Sequence, residues 1–181
     1  MNDRYVFDLD NTLIMTDELN NASYNYALTQ FGIPPITVST RITRDVVFDN
    51  YPNLTEFQKS QIVKLKQDYF MGNIHCTHPN TILINLLQSK NEAHCILWTS
   101  ADKNRVSGLL MHYRLENHFI TIVYSSKRKL SEDIEKICNI LGCTSKQLFF
   151  YEDDTNIVNE LRLLGQKVVV DPPKLAEPMN R

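Results

Sequence analysis

The second half of the chain alternates short apolar runs with segments of helical periodicity, and this alternation constrains the fold more than any other feature. Each run is short enough for a buried strand, and helical spacing of apolar residues follows it. The predicted strands cover residues 93–98, 119–124, 148–151 and 167–170. One intervening helix is predicted to have Ser131 as its N-cap and to end at Gly142. Such a rhythm predicts a mostly parallel sheet covered by helices on both faces.

A further apolar run lies close to the N-terminus and ends in two acidic residues. Residues 5–9 are predicted to form a strand, and Asp8 and Asp10 lie two residues apart at its end. Side chains at i and i+2 of an extended segment point the same way, so the two carboxylates are expected to converge. They could bind a cation, or act as nucleophile and acid/base. A simple turn is the alternative, since Asp, Asn and Thr favour turns.

The region between the first strand and residue 79 shows helical patterns without a convincing strand. Thr55 and Gln58 fit a capping box at the start of one helix. An earlier helix is predicted to have one shared face, formed by Leu19, Ala22, Tyr26 and Ala27. We therefore predict a core of residues 1–15 and 79–181 and a helical cap of residues 16–78, with a loosely held end at 172–181. Alternatively, these helices simply pack onto the core.

Polar residues follow each predicted strand, at the edge where open parallel sheets bind ligands. Individually they have structural explanations, such as helix caps and solvated loops. Together they form an acidic cluster with a hydroxyl and a cation, which suits Mg²⁺ beside a phosphoryl group. The residues are Thr99, Ser100, Lys127, Arg128, Lys129, Glu152, Asp153 and Asp154.

The net charge, the N-terminal sequence and the cysteines limit the kinds of partner and the cellular setting that we expect. The formal net charge of −2 gives no electrostatic reason to expect nucleic acid or a membrane surface. The N-terminus lacks the regions of a signal peptide, and none of the four cysteines forms a CxxC pair, so a reducing cytoplasm is the expected setting. His75, Cys76 and His78 could hold a soft metal, but they lack a clear fourth ligand. Nothing in the sequence indicates the oligomeric state.

These residues resemble the motifs of the haloacid-dehalogenase superfamily of phosphatases. The segment Asp8-Leu9-Asp10-Asn11-Thr12 matches the first motif, DxDx[TV]. The strand ending at Thr99 looks like the second motif, Lys127 or Lys129 would supply the third, and Glu152-Asp153 resembles the fourth in its β-phosphoglucomutase-like form. The resemblance implies a Rossmann-like parallel α/β core, flanked by helices, with a small α-helical cap inserted after the first strand.

The resemblance also implies a role for each matching residue. Asp8 would be the nucleophile that forms an aspartyl-phosphate, and Asp10 would protonate the leaving oxygen and then activate water. Thr99, with Ser100 beside it, would bind the phosphoryl group, and a lysine would neutralise charge. Mg²⁺ would be held by the Asp8 side chain, the Asp10 backbone carbonyl and Asp153, with Glu152 close by. The implied substrate is a small phosphorylated metabolite.

The chain departs from the family pattern at two places. The third motif usually reads Lys-Pro, and no proline follows either lysine here. Lys129 is preferred because it stands just before the predicted helix start at Ser131. The second departure is Ile157, at a position where relatives usually have glycine.

Three other functions compete with a phosphatase. A phosphomutase would use the same groups, with Asp10 returning the phosphoryl group to the substrate. A dehalogenase would use Asp8 without a metal, and the retained acidic residues argue against it. A non-catalytic binding or regulatory protein with this fold is the third alternative, since fold alone does not establish function.

Overall fold

The computed structural model describes residues 3–169. Its strands are β1 (Arg4–Phe7), β2 (Ile14–Met15), β3 (His78–Pro79), β4 (Cys95–Thr99), β5 (Thr121–Tyr124), β6 (Leu148–Tyr151) and β7 (Lys167–Val169). Its helices are α1 (Asp17–Thr29), α2 (Arg44–Asn50), α3 (Glu56–Gly72), α4 (Thr81–Gln88), α5 (Lys103–Tyr113), α6 (Leu130–Leu141) and α7 (Thr155–Leu163). Val170, the predicted end of the last strand, and the predicted loose end at 172–181 lie outside the described residues.

Five strands form one parallel sheet with the order β5-β4-β1-β6-β7. The predicted α/β class with a parallel sheet flanked by helices is therefore confirmed. The short strands β2 and β3 form a separate two-stranded sheet. Because β1 lies between β4 and β6, the residues that follow these three strands emerge side by side at one edge of the sheet.

The main core of the sheet follows from the alternation of its side chains. Val6, Ile96 and Trp98 are buried on one face, together with apolar residues of α6 and α7 such as Ile137 and Leu161. A strand places successive side chains on opposite faces, so near-continuous apolar runs are what a sheet covered on both sides requires. On β1 the next residue, Phe7, stacks on Tyr151 of β6, with the ring centroids 4.7 Å apart.

The chain divides into two compact units. One contains the described residues up to Ile14 and from Pro79 onward, and the other is Met15–His78. We call the first the α/β unit and the second the helical unit. No helix within residues 3–169 combines the length and the hydropathy needed to cross a bilayer.

The helical unit has its own apolar core. Tyr24, Leu28 and Ile62 belong to this core. The predicted face of α1 is right for Leu19 and Ala27, which are buried, and wrong for Ala22 and Tyr26, which are exposed. Small polar residues take their place on the buried face, where their hydrogen-bonding groups are satisfied. The Ser23 hydroxyl donates to the Leu19 carbonyl oxygen at 2.5 Å, and the Asn20 amide donates to the Ile42 carbonyl oxygen at 2.8 Å.

Local signals set the helix ends with mixed success. The capping box of Thr55 and Gln58 is present at the start of α3. Helix α6 ends at Gly142, whose φ of 58° is the left-handed conformation that glycine adopts without a Cβ clash. Ser131 is not the N-cap of α6, because the Asp133 N–H already donates to the Lys129 carbonyl oxygen at 3.1 Å. The helix therefore begins at Leu130, with Lys129 as its N-cap.

Candidate active site

The segment after β1 is a tight loop rather than an extension of the strand. The N–H groups of Leu13 and Ile14 both donate to the Leu9 carbonyl oxygen, at 3.1 and 3.0 Å. Asn11 has a φ of 60°, a left-handed conformation that Asn tolerates better than most residues. Because β1 ends at Phe7, the two-residue period of a strand no longer governs Asp8 and Asp10, and their carboxylates engage different partners.

Asp8 lies next to a buried lysine. The Lys127 Nζ is 2.6 Å from Asp8 Oδ1 and 2.6 Å from Glu152 Oε2, so one ammonium group bridges the ends of β1 and β6. All three side chains are at least nine-tenths buried. The Asp8 backbone continues the sheet pairing, since its N–H donates to the Tyr151 carbonyl oxygen at 2.9 Å. A buried charge is tolerated when it is paired in this way.

Burial dominates the electrostatics of these groups. It raises the pKa of Asp8 to about 7, although the Lys127 charge acts in the opposite direction, and the charges of Glu152 and Asp10 raise this pKa further. Burial also raises the pKa of Glu152 above its ordinary value. For Lys127 burial opposes the charged form, but the facing carboxylates outweigh it and raise its pKa above the ordinary value. Lys127 is therefore a fixed positive charge near neutral pH.

A third carboxylate completes an acidic cluster. One oxygen of each of Asp8, Glu152 and Asp153 lies within 4.8 Å of the other two. The Thr12 hydroxyl donates to Asp153 Oδ1 at 3.1 Å. Burial raises the pKa of Asp153 to about 6, and the Asp8 charge adds to this. Donors made only of oxygen fit a hard divalent cation, whose charge would stabilise the ionised forms of these three acids.

Asp10 is held by an arginine. Its Oδ1 forms an ion pair with the guanidinium group of Arg105, a residue of α5. Both side chains are largely buried. Helix α5 is fixed at its start by Asp102, whose carboxylate accepts hydrogen bonds from the backbone N–H groups of Asn104 and Arg105. Arginine is suited to such a place because its planar guanidinium stays charged and its donors have fixed directions.

Thr99 and Ser100 follow β4, the neighbour of β1. Thr99 is buried at the end of the strand, and its hydroxyl oxygen accepts a hydrogen bond from the Ala101 N–H at 3.1 Å. Phe7 pairs with Leu97 in the sheet, so the residues that follow both strands emerge at the same edge. Ser100 is exposed. Of the two predicted phosphoryl-binding residues, Thr99 is thus fixed within the α/β unit and Ser100 faces solvent.

The structure corrects the preference for Lys129 as the lysine beside Asp8. Lys129 is exposed, and its Nζ contacts Glu132 Oε1 at 2.8 Å on the surface of α6. Arg128 is exposed as well. Closeness to the start of α6 did not identify the buried lysine. Lys127 adopts a left-handed φ of 55°, and its side chain is the one that points inward. Asp154 is the N-cap of α7, so its carboxylate is engaged with the N–H groups of Asn156 and Ile157.

Two further residues of the site were not predicted from the sequence. Arg105 is not among the predicted site residues, and its place in α5, three residues after the Asp102 N-cap, gives no local sign of a partner at Asp10. Thr12 belongs to the DxDx[TV] motif, but no local pattern indicates its contact with Asp153, which joins residues 141 positions apart. Ile157, the position of the second departure, is an ordinary helical residue of α7 that packs against the core.

The family is shown by comparison with known proteins. A family model for haloacid dehalogenase-like hydrolases matches residues 5–160. The chain therefore belongs to the haloacid dehalogenase-like hydrolase family, as the motifs indicated. No curated protein matches the chain significantly.

Solved structures share the fold at low sequence identity. A predicted phosphoglycolate phosphatase from Haemophilus somnus 129pt has a TM-score of 0.78 at 17% identity, over 93% of this chain and 84% of that protein. A predicted phosphatase from Clostridium acetobutylicum has a TM-score of 0.67 at 21% identity, over 94% of each chain. CbbY from Rhodobacter sphaeroides, in complex with phosphate, has a TM-score of 0.68 at 16% identity, over 99% of this chain and 90% of that one.

Proposed function

We propose that this hydrolase is a Mg²⁺-dependent phosphatase that acts on a small phosphorylated metabolite through an aspartyl-phosphate on Asp8. The observation that carries the proposal is the pairing of Asp8 with the buried Lys127 ammonium group, in a cluster where the carboxylates of Glu152 and Asp153 lie close to that of Asp8. A phosphoryl group brings negative charge to a carboxylate nucleophile, so the site needs positive charge that is already in place. Similarity to phosphatase structures supports the proposal.

The proposed reaction has two steps, and Asp8 and Asp10 divide the work. In the first, an Asp8 oxygen attacks phosphorus, the bond to the leaving oxygen breaks, and Asp10 gives that oxygen a proton. In the second, Asp10 takes a proton from water, whose oxygen attacks phosphorus and releases phosphate, so that Asp8 is regenerated. Arg105 orients the Asp10 carboxylate for both transfers, and orientation of this kind is a large part of catalysis.

The remaining residues are proposed to bind the phosphoryl group and the metal ion and to neutralise negative charge. Lys127, in place of the Lys129 of the sequence prediction, stabilises the charge that develops beside Asp8. Thr99 and Ser100 are proposed to contact the phosphoryl oxygens. Mg²⁺ would be held by Asp8, Asp153 and the Asp10 backbone carbonyl, with Glu152 beside them. When bound, the ion supplies additional positive charge for the phosphoryl oxygens.

The wider setting of the protein stays a prediction from the sequence. Residues 16–78 are proposed to be a cap that sets substrate specificity. A reducing, cytoplasmic setting is also proposed, and the free thiols of Cys76 and Cys95 are consistent with it.

The test is hydrolysis of a generic phosphate monoester with and without Mg²⁺, measured as release of free phosphate. The Asp8→Asn variant is expected to lose activity by about 10⁴-fold or more, because the amide is a poor nucleophile. The matched control is Asp68→Asn, the same chemical change at an exposed position of α3, which is expected to leave activity unchanged. An inactive wild type, or full activity in Asp8→Asn, rejects the proposal. Transfer of the phosphoryl group without release of phosphate favours a phosphomutase.

A further inference from the structure

A group of side chains outside the reacting set surrounds Lys127. Trp98 comes from β4, Ser125 follows β5, and Asp133 lies in the first turn of α6. The Trp98 indole N–H donates to Asp133 Oδ2 at 3.2 Å, and the Ser125 hydroxyl donates to the same oxygen. One carboxylate oxygen of Asp133 therefore ties together two residues from neighbouring strands.

Ser125 and Trp98 both contact Lys127. Ser125 contacts the Lys127 backbone, and Trp98 contacts the Lys127 side chain. The Lys127 N–H donates to Ser125 Oγ at 2.9 Å. The Lys127 Nζ lies 4.4 Å from the centre of the Trp98 ring, a distance typical of a cation–π contact. Trp98 thus presents its edge to Asp133 and its face to the ammonium group. With 1% of its surface exposed, the indole cannot move far.

The backbone of Lys127 needs this support. Its φ of 55° lies in the left-handed region, which a residue with a long side chain rarely adopts. Such a conformation persists where the surroundings fix it, and here the Ser125 Oγ accepts the N–H of the strained residue itself. The same backbone turn sends the Lys127 side chain inward, while Arg128 and Lys129 stay exposed.

We propose that Asp133 is a positioning residue, which acts through Trp98 and Ser125 to hold the Lys127 ammonium between Asp8 and Glu152. This inference rests on the proposed function, because it assigns Asp133 to the reaction without any contact between Asp133 and the substrate. Loss of Asp133 leaves the indole N–H and the Ser125 hydroxyl without their common acceptor. Ser125 and Trp98 are then less firmly held, and so are the contacts that they make with the Lys127 backbone and ammonium group.

A purely structural role for Asp133 provides the competing explanation. Acidic residues in the first turn of a helix interact favourably with the helix dipole, and Asp133 lies in the first turn of α6. Glu132 lies in the same turn, but it is exposed and its carboxylate forms an ion pair with the exposed Lys129. Glu132→Ala therefore removes an equal charge from the same place and serves as the matched control.

The experiment compares Asp133→Ala, Asp133→Asn and Glu132→Ala in steady-state hydrolysis of a phosphate monoester with Mg²⁺. Asp133→Ala is expected to lower kcat by about tenfold or more with KM changed by less than about threefold, because ground-state binding of the substrate does not involve Asp133. Asp133→Asn is expected to restore most of kcat, because its amide oxygen can accept both hydrogen bonds. Glu132→Ala is expected to match the wild type. Equal effects of Asp133→Ala and Glu132→Ala overturn the inference.

A double-mutant cycle tests whether Asp133 acts through the lysine. Single-turnover measurements keep slow variants measurable. In a Lys127→Met background, Asp133→Ala is expected to cost less than about twofold, since the group that it positions is already gone. The same loss in both backgrounds overturns the inference.

A second route covers the case in which Asp133→Ala does not fold. Ser125→Ala removes the acceptor of the Lys127 N–H and one of the two donors to Asp133, but leaves the hydrogen bond between Trp98 and Asp133 in place. It is expected to lower kcat about threefold, with exposed Ser126→Ala as its matched control. Equal rates in the two serine variants overturn the inference. An inactive wild type instead rejects the proposed function, and this inference with it, whereas an active wild type with an unaffected Asp133→Ala rejects the inference alone.

Discussion

The two units of the chain bury positive charge in different ways. In the α/β unit, Lys127 is buried between the carboxylates of Asp8 and Glu152 at 2.6 Å from each. In the helical unit, Lys66 of α3 is equally buried, and its Nζ lies 5.2 Å from the ring centres of both Tyr24 and Phe70. The two carboxylates hold the Lys127 charge in one place, whereas the aromatic faces let the long Lys66 side chain take part in a core.

The two units also differ in the kinds of polar side chain that they bury. Among residues 3–169, the buried acids are Asp8 and Glu152, and both lie in the α/β unit at the ends of strands. The buried polar residues of the helical unit include Asn20, Ser23 and Thr77, whose side chains donate to backbone carbonyl oxygens. A cluster of like charges costs free energy that a core does not need, which is why such a cluster points to function.

The largest expected effect comes from removal of the bridging charge. Lys127→Met leaves two buried carboxylates side by side, and we expect phosphatase activity to fall by about 10²- to 10³-fold. Without Mg²⁺, the free energy of unfolding is expected to fall by about 3 kcal/mol, the usual cost of breaking a buried ion pair. Steady-state kinetics and urea unfolding measure the two effects.

The control for this change lies two residues away. Lys129→Met removes an exposed lysine whose ion pair with Glu132 lies on the surface of α6, so both quantities are expected to stay near the wild-type values. A larger activity loss in Lys129→Met than in Lys127→Met would restore the sequence-based preference and end the contrast between the two units.

Mg²⁺ is expected to stabilise the α/β unit selectively. At a concentration one hundred times its Kd, a ligand that binds only the folded state adds about 2.7 kcal/mol to the free energy of unfolding. Amide hydrogen exchange is expected to slow in the segments after β1 and β6 and to change little in α3. Asp153→Asn should weaken the effect, whereas Asp68→Asn should not. Equal slowing in α3 would contradict a cation site confined to the acidic cluster.

Removal of the arginine beside Asp10 is expected to slow catalysis and, because it breaks a largely buried ion pair, to lower the free energy of unfolding as well. Arg105→Met frees the Asp10 carboxylate to rotate, and kcat is expected to fall by about tenfold or more because the proton-transfer group loses its orientation. Arg105→Lys keeps the charge without the planar fork and should recover part of the rate. Arg162→Met, at an exposed position of α7, is the control. Unchanged kcat in Arg105→Met would remove Arg105 from the mechanism.

The smallest effect concerns the buried lysine of the helical unit. Lys66→Met keeps the length and apolar stem of the side chain but loses its cation–π contacts, so we expect the free energy of unfolding to fall by about 1 kcal/mol. Lys64→Met, at an exposed position of the same helix, should change it by less than about 0.5 kcal/mol. Urea unfolding measures both. A loss in Lys66→Met as large as that in Lys127→Met would show that the two lysines are buried for the same reason.

Several features of the fold were predictable because their signals are local. The alternation of strands and helices depends on spacings of two to four residues, and the parallel sheet followed from it. The capping box at Thr55 and the left-handed Gly142 are read from residues within one helical turn of each other. The helix face predicted for α1 was only half right, because polarity alone did not reveal that Asn20 and Ser23 are buried and satisfy their hydrogen bonds inside the unit.

The acidic members of the candidate site were also predictable from the sequence, since Asp8, Glu152 and Asp153 lie at or just after the end of a recognisable strand. Which lysine lies beside Asp8 could not be predicted from the sequence. Lys127 and Lys129 are equivalent in charge and nearly so in position, and the difference between them is a backbone φ of 55° at Lys127. That conformation is fixed by Ser125, which in turn contacts a residue of α6.

By itself, the sequence determined the α/β class, the family motifs and the set of acids at the strand ends, because periodicity and strand ends are encoded by neighbouring residues. Only the tertiary structure decided that Asp8 pairs with Lys127, that Asp10 pairs with Arg105, and that Thr12 contacts Asp153. These pairs join residues about 100 positions apart or more, and nothing in the local pattern of either partner records the other. The physical reason is that burial makes an unpaired charge costly, so the partner is selected by packing of the whole unit rather than by its place in the chain.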